Sequence, residues 1–393
     1  MKMFRDCFVA RRTHKIFLCI LGMSTLFLYP SPARAQGFPG TSLLVSTIQD
    51  PQVLSSAHEM EKLVAFAKNA GLDTLFIQVY RANRSWFPSA YADATPYQKC
   101  SQGVAQDPFA LLIAQSHAQG LKVFAWFNVL SLSENKDAPI LKRYGPEVLT
   151  RNAEKKKELS DYKIDNQFFL EPGDRRVRHD LLGIVEEMVR RYPDLDGILF
   201  DYIRYPDVKP AYGYTTANMA RFKNTTGSSD IREKNELWRK WKRDQVTELL
   251  GTLIKKARSI SPKISVAAAG CVSYVRAYDE AFQDWPSWVN NGLVDFVVLM
   301  NYPIDLKEFE RNSAEAKGKV NDFKKVKIAV GAYKLLKMPE MFAQQLLSAK
   351  NTDGGGRVVF HYGSLCDEPL LETVLVSDMD PKTQMPHARS DHP

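Results

Sequence analysis

The sequence predicts an α/β fold: a single (β/α)₈ TIM barrel with long loops at its C-terminal face. Three observations carry this. Eight runs rich in β-branched and aromatic residues recur along the 393 residues. Most are continuously apolar, as parallel strands covered on both faces must be. Stretches with recognisable helix ends lie between them, the alternation that closes into a barrel. No G-x-G-x-x-G follows the first run, which removes the simplest dinucleotide-binding sheet.

In order, the runs are Ser42 to Thr47, Thr74 to Tyr80, Lys122 to Phe127, Gly197 to Ile203, Lys263 to Ala269, Val294 to Asn301, Lys327 to Tyr333 and Arg357 to Tyr362. Ser56 and Glu59 form a capping box ahead of one helix, and Asp107-Pro108 supplies an N-cap and a first-turn proline for the next. Gly71, Gly120 and Gly292 each follow a helical pattern and precede a leucine. A left-handed glycine there stops the helix and the leucine turns the chain towards the following strand. Trp238, Trp241, Val246, Leu249 and Leu250 share helical spacing and are expected to face the barrel. The segments after the second, third and fourth runs are long, and in a barrel they open at the C-terminal face, where such enzymes build their sites.

Composition bounds the rest. With 45% hydrophobic and 25% charged residues, the chain is neither disordered, collagenous nor a polytopic membrane protein. The formal charge is +8, and five of those eight charges lie in the first 35 residues, where six basic side chains stand against Asp6 alone. That basic start, the apolar run Ile16 to Tyr29 and the triplet Ala33-Arg34-Ala35 make up a secretory signal peptide over residues 1–35, with cleavage expected after Ala35 and a secreted or periplasmic product. Residues 36–376 are then the barrel and 377–393 a flexible tail. No stable membrane span is expected after signal removal. Without a long basic stripe, nucleic acid is not an expected partner. Cys100, Cys271 and Cys366 remain, too few for a disulfide framework. The absence of CxxC or HExxH spacing argues against a metal, and no cofactor is expected.

Candidate chemistry gathers at the strand ends. Asp201 closes an apolar run, where an ionised carboxylate is costly unless a partner or a reaction justifies it. Pairing with Arg204 or Arg81 is the structural alternative. Tyr80, Arg81, Trp126, Asn128, Tyr205, Asn301, Tyr302, His361 and Tyr362 end other strands, with Trp86 and Phe87 in a loop above. Aromatic faces beside amide and guanidinium donors suit a sugar ring, which offers apolar C–H faces and a rim of hydroxyls.

Several phrases resemble the bacterial glycosyl-hydrolase-like family 10 of barrel proteins. They include Asp73-Thr-Leu-Phe-Ile-Gln-Val-Tyr-Arg81, Ala125-Trp-Phe-Asn128, Leu170-Glu-Pro-Gly173, Phe200-Asp-Tyr-Ile-Arg-Tyr-Pro206, Gln283-Asp-Trp285 and Val294-Asp-Phe-Val-Val-Leu-Met-Asn-Tyr302, in this order along the chain. The resemblance implies a barrel hydrolase acting on glycosidic bonds of extracellular or cell-wall polysaccharide, with Asp201 at its most characteristic acidic position. One departure is Glu171, which stands where the family tends to carry aspartate.

The expected function is therefore a secreted or periplasmic glycoside hydrolase acting on a polysaccharide, with cell-wall peptidoglycan one candidate. A non-catalytic polysaccharide-binding barrel is the alternative. Such hydrolysis takes two carboxylates, separated by about 5–5.5 Å for retention or about 6.5–9.5 Å for inversion. Asp201 is expected as nucleophile or base. Asp305 ranks first as the acid and Glu171 second, with Asp279 and Asp284 behind them. Tyr80, Arg81, Trp126, Asn128, Arg204, Tyr205, Asn301, Tyr302 and Tyr362 are the expected substrate contacts.

Overall fold

The computed structural model describes residues 40–154, 158–208 and 211–379. The expected signal peptide, with its expected cleavage after Ala35, lies outside the described residues, as do the residues of the expected tail beyond 379. The last helix crosses the boundary drawn at residue 376.

Eight parallel strands form the barrel: β1 (Thr41–Val45), β2 (Thr74–Arg81), β3 (Lys122–Asn128), β4 (Gly197–Asp201), β5 (Ser265–Cys271), β6 (Phe296–Asn301), β7 (Val326–Gly331) and β8 (Arg357–Phe360). Each pairs with its neighbours in sequence, and β1 pairs with both β2 and β8, which closes the sheet. One principal helix follows each strand: α1 (Ala57–Asn69), α2 (Pro108–Ala118), α3 (Arg175–Arg191), α4 (Glu236–Ile260), α5 (Trp285–Asn290), α6 (Leu306–Lys317), α7 (Pro339–Lys350) and α8 (Pro369–Met379).

The predicted caps and glycine stops form, although the capping box is only half made, because the Glu59 carboxylate bonds Lys62 instead of returning to Ser56. Ser56 Oγ accepts from the Glu59 N–H at 3.2 Å, and Asp107 Oδ1 accepts from the N–H groups of Phe109 and Ala110. Gly71, Gly120 and Gly292 all have positive φ. The leucine after each returns a backbone bond into its helix, Leu72 to Ala67, Leu121 to Ser116 and Leu293 to Trp288. This is the closing bond of a Schellman motif.

Two cores follow from strand alternation. Leu44, Phe76, Phe124, Leu199, Ala267, Phe296, Val298, Ala329 and Val358 point inward and fill the barrel with Trp126. The alternate positions point outward and merge with the helix faces into the larger core, which includes Val246, Leu249 and Leu250 of α4. Trp238 and Trp241 do not join it. They pack with Tyr214 and Phe222 in a separate cluster, because α4 is 25 residues long and its first turns meet the segment that follows β4. That segment carries a helix, Thr216–Thr226. The one after β3 carries a short antiparallel pair, Ser131–Ser133 with Phe168–Phe169, so both long connections are built structures at the C-terminal face.

Candidate active site

Asp201 is the last residue of β4, and β4 residues alternate, so Leu199 and Asp201 both point into the barrel. The residue is buried, 6% exposed. Trp126 Nε1 donates to its Oδ2 at 3.1 Å and the Tyr202 N–H donates to its Oδ1 at 2.7 Å. Burial pushes its pKa above the ordinary aspartate value; the nearby Arg204 guanidinium and these two hydrogen bonds pull the other way without cancelling it. Neither guanidinium weighed as a partner pairs with it: Arg204 bonds Asp207 at 3.0 Å, and Arg81 makes no ion pair among the described residues.

Asp201 helps to line a cleft of about 830 Å³ at the barrel mouth. Trp126, Tyr302, Tyr333 and Phe360 form an aromatic wall. Tyr302 and Phe360 stack with centroids 5.4 Å apart, while Trp126 and Tyr333 meet Phe360 edge-on. Gly331 admits this arrangement, since a Cβ there would sit about 3.0 Å from the Tyr302 ring. Below, Gln78 Nε2 donates to Asn128 Oδ1 at 3.2 Å, and Asn128 lines the cleft. A second cavity of about 1310 Å³, lined by the segments after β1, β2 and β3, shares Ile48, Arg81, Asn128 and Tyr202 with the first. The two form one continuous groove.

Of the nine substrate contacts expected from sequence, Arg81, Trp126, Asn128, Arg204 and Tyr302 line the cleft. The other four are elsewhere, and strand geometry explains why. An irregularity between Gln78 and Tyr80 breaks the alternation of β2, so Tyr80 turns out to stack on Phe127 and Arg81 turns in. Asn301 lies between the inward positions Met300 and Tyr302, and its amide ties β6 to α6 through Phe309 and Asn312. Tyr362 begins a short helix beyond β8 and packs on Phe66 of α1. Tyr205 is buried and bonded to Glu171. Phe360 and Tyr333 were not singled out by sequence; the inward parity shared by Val358 and Phe360 is the signal that finds the former.

The expected acids are also displaced. Asp305 is the N-cap of α6, its Oδ1 accepting from the Glu308 N–H at 2.8 Å, and it does not line the cleft. Glu171 is fully buried and accepts from Tyr205 Oη and from Thr150 Oγ1. Burial raises its pKa, against the pull of those two donors. It anchors the long loop after β3 to the residues beyond β4 and has no face on the cleft. Asp279 pairs with Arg239 and Asp284 accepts from Tyr274 Oη, both outside the cleft lining. The carboxylates that do line the cleft beside Asp201 are Asp207 and Glu308. Each Asp207 oxygen is held by an arginine, Arg204 or Arg276. Glu308, in the first turn of α6, is exposed and makes no side-chain bond among the described residues. Cys271 also reaches the cleft, with its thiol pushed by burial up to about 11. No cluster of three or more metal-ligating side chains occurs among the described residues.

A closed eight-stranded barrel with a buried carboxylate and an aromatic wall at its mouth has the architecture of the barrel glycoside hydrolases. The chain belongs to the glycosyl hydrolase-like 10 family, whose model matches residues 45–345. It is 25% identical over 260 residues to glycosyl hydrolase DigH of Escherichia coli K12, covering 59% of this chain and 55% of that protein. It is 25% identical over 269 residues to glycosyl hydrolase YngK of Bacillus subtilis, covering 64% and 50% respectively. The chain thus spans about half the length of the curated relatives it matches. The fold resembles the PgaB (BpsB) glycoside hydrolase domain from Bordetella bronchiseptica, with a TM-score of 0.65, 16% identity, and coverage of 86% of this chain and 98% of that domain. It also resembles the catalytic domain of β-amylase from Paenibacillus polymyxa, with a TM-score of 0.58, 11% identity, and coverage of 89% and 100%. No helix among the described residues is long and apolar enough to cross a membrane.

Proposed function

We propose that the protein hydrolyses O-glycosidic bonds within a polysaccharide and that Asp201 is its catalytic acid. The carrying observation is the placement of Asp201: a buried carboxyl beneath an aromatic-walled cleft, bonded to Trp126 and Tyr202 and to no cation. An acid must keep its proton towards neutral pH, and burial acts on Asp201 in that direction. This reverses the role expected for it from sequence. Its counterpart in this reading is Glu308, an unpartnered carboxylate of the cleft lining, which would activate water or attack the sugar carbon from the opposite face. Asn128 and the aromatic wall hold the sugar by its hydroxyls and its C–H faces. Two adjoining cavities of about 830 and 1310 Å³ give room for more than one sugar unit, which favours a polymer over a small glycoside.

Cell-wall peptidoglycan is the first polymer to test, and export through residues 1–35 the route to it. Both rest on the sequence reading. The deciding experiment incubates the protein with purified peptidoglycan and a polysaccharide panel and follows released fragments by mass spectrometry. Release that disappears in Asp201→Asn and Glu308→Gln, with unchanged melting of both variants, supports the reading. Binding without release would assign the non-catalytic alternative. N-terminal sequencing of exported material, expected to start at Gln36, tests the signal.

A further inference from the structure

Four arginines line the two cavities of the groove, and three have carboxylate partners. Arg204 and Arg276 share Asp207, and Arg84 lies 3.6 Å from Asp93. The Arg81 side chain alone among them makes neither a hydrogen bond nor an ion pair among the described residues. It is half-buried, at the point where the two cavities meet. The irregularity in β2 is what aims it there, since regular alternation would send Tyr80 inward and Arg81 out. Its titratable neighbour is Tyr202, adjacent in sequence to Asp201.

A half-buried guanidinium without a counter-ion has lost part of its hydration and gained nothing in return. Burial accordingly pulls its pKa below the usual arginine value, with no carboxylate opposing it. The planar fork of donors fits a carboxylate bidentately. Asp50, Glu134, Asp137 and Asp165 also line the second cavity, but they are exposed. None lies within ion-pairing distance of Arg81, and exposed charges are screened by water and salt.

Building on the glycosidase reading above, we infer that Arg81 forms a subsite for a carboxylate-bearing sugar, placed beside the bond that Asp201 acts on. The polymer is therefore anionic, and the acid group lies at the junction of the two cavities. Two kinds of sugar present such a group: a uronic acid, with the carboxylate on the ring carbon chain, and a sugar with an ether-linked lactyl group.

The test uses the full chain carrying Asp201→Asn, so that binding is read without turnover. Its probes are oligogalacturonate and peptide-free peptidoglycan strands, each compared by calorimetry with a form whose carboxylates have been reduced to alcohols. The carboxylated form should bind ~10-fold to ~100-fold tighter in one arm, as expected for hydrogen bonds to a charged group, and that arm identifies the sugar. Adding Arg81→Gln should bring the ratio near one, and Arg81→Lys should restore part of it. A ratio near one in both arms overturns the inference, as does a ratio that survives Arg81→Gln or a failure to bind any probe. The reduced-glycan comparison needs no Arg81 variant, so it stands even if a substitution there disturbs folding. Cleavage without discrimination overturns the subsite alone. Discrimination without cleavage by the unsubstituted chain overturns the glycosidase reading alone.

Discussion

Trp126 and Asp201 meet across neighbouring strands, the indole Nε1 donating to Oδ2 at 3.1 Å. Asn128 is the register partner of Asp201, and Trp126 lies one inward position below it. The indole therefore serves twice, as part of the aromatic wall of the cleft and as a donor that favours the ionised carboxylate. Phe at position 126 keeps the wall and removes the donor, so the Asp201 pKa should rise further. If Asp201 is the acid, the alkaline limb of kcat/KM against pH moves to higher pH in Trp126→Phe. Movement of the acidic limb instead would return Asp201 to the role of base or nucleophile.

The same burial makes Asp201 a liability to stability. Its folded pKa is raised, so the unfolded chain holds fewer protons above the ordinary aspartate value of about 3.9 and stability falls as pH rises through the folded pKa. Asp201→Asn should therefore melt at or above the wild-type temperature at pH 7, with the difference closing towards pH 4, while turnover falls by about 10²-fold to 10⁴-fold. A variant that melts well below wild type at pH 7 would show that the carboxylate holds the fold together.

The carboxylates separate by variant. Asp305→Ala loses an N-cap and should cost about 1 kcal/mol of stability with kcat/KM close to wild type. Glu171→Ala leaves Tyr205 Oη and Thr150 Oγ1 buried without their acceptor and should cost roughly 2–3 kcal/mol, whereas Glu171→Gln should keep activity. Of Asp305, Glu171 and Glu308, only the last should be needed for turnover on the natural glycan, so that Glu308→Gln abolishes it. Loss of activity in Asp305→Ala at unchanged stability would restore the sequence assignment.

Lys242 provides a second pH signature. It is buried against the rings of Phe282, Tyr214 and Trp238, and its Nζ donates to the Tyr212 carbonyl. Burial lowers its pKa from 10.5 to about 7, although Glu171 pulls it up. The unfolded chain then binds more protons between those values, so this group makes stability rise with pH across that window. In thermal melts between pH 6.5 and 9.5, wild type should gain on Lys242→Met as pH increases. A constant difference would mean that Lys242 stays charged throughout.

Several features were legible in the sequence because local chemistry determines them. Eight apolar runs, the Ser56 and Asp107 caps and the glycine stops at Gly71, Gly120 and Gly292 each depend on a few adjacent residues, and together they require a closed parallel barrel. The position of Asp201 was legible too, because the end of an apolar strand in a barrel is its mouth. The direction in which each side chain points came from packing instead. One irregular step in β2 exchanges Tyr80 for Arg81, and simple alternation hides Asn301 while exposing Tyr302. Asp305 and Glu308 are three residues apart on one helical turn, yet one caps the helix and the other reaches the cleft. Alternation and spacing along the chain are local, whereas the cleft is defined by what eight separate strand ends surround, and only their packing sets that.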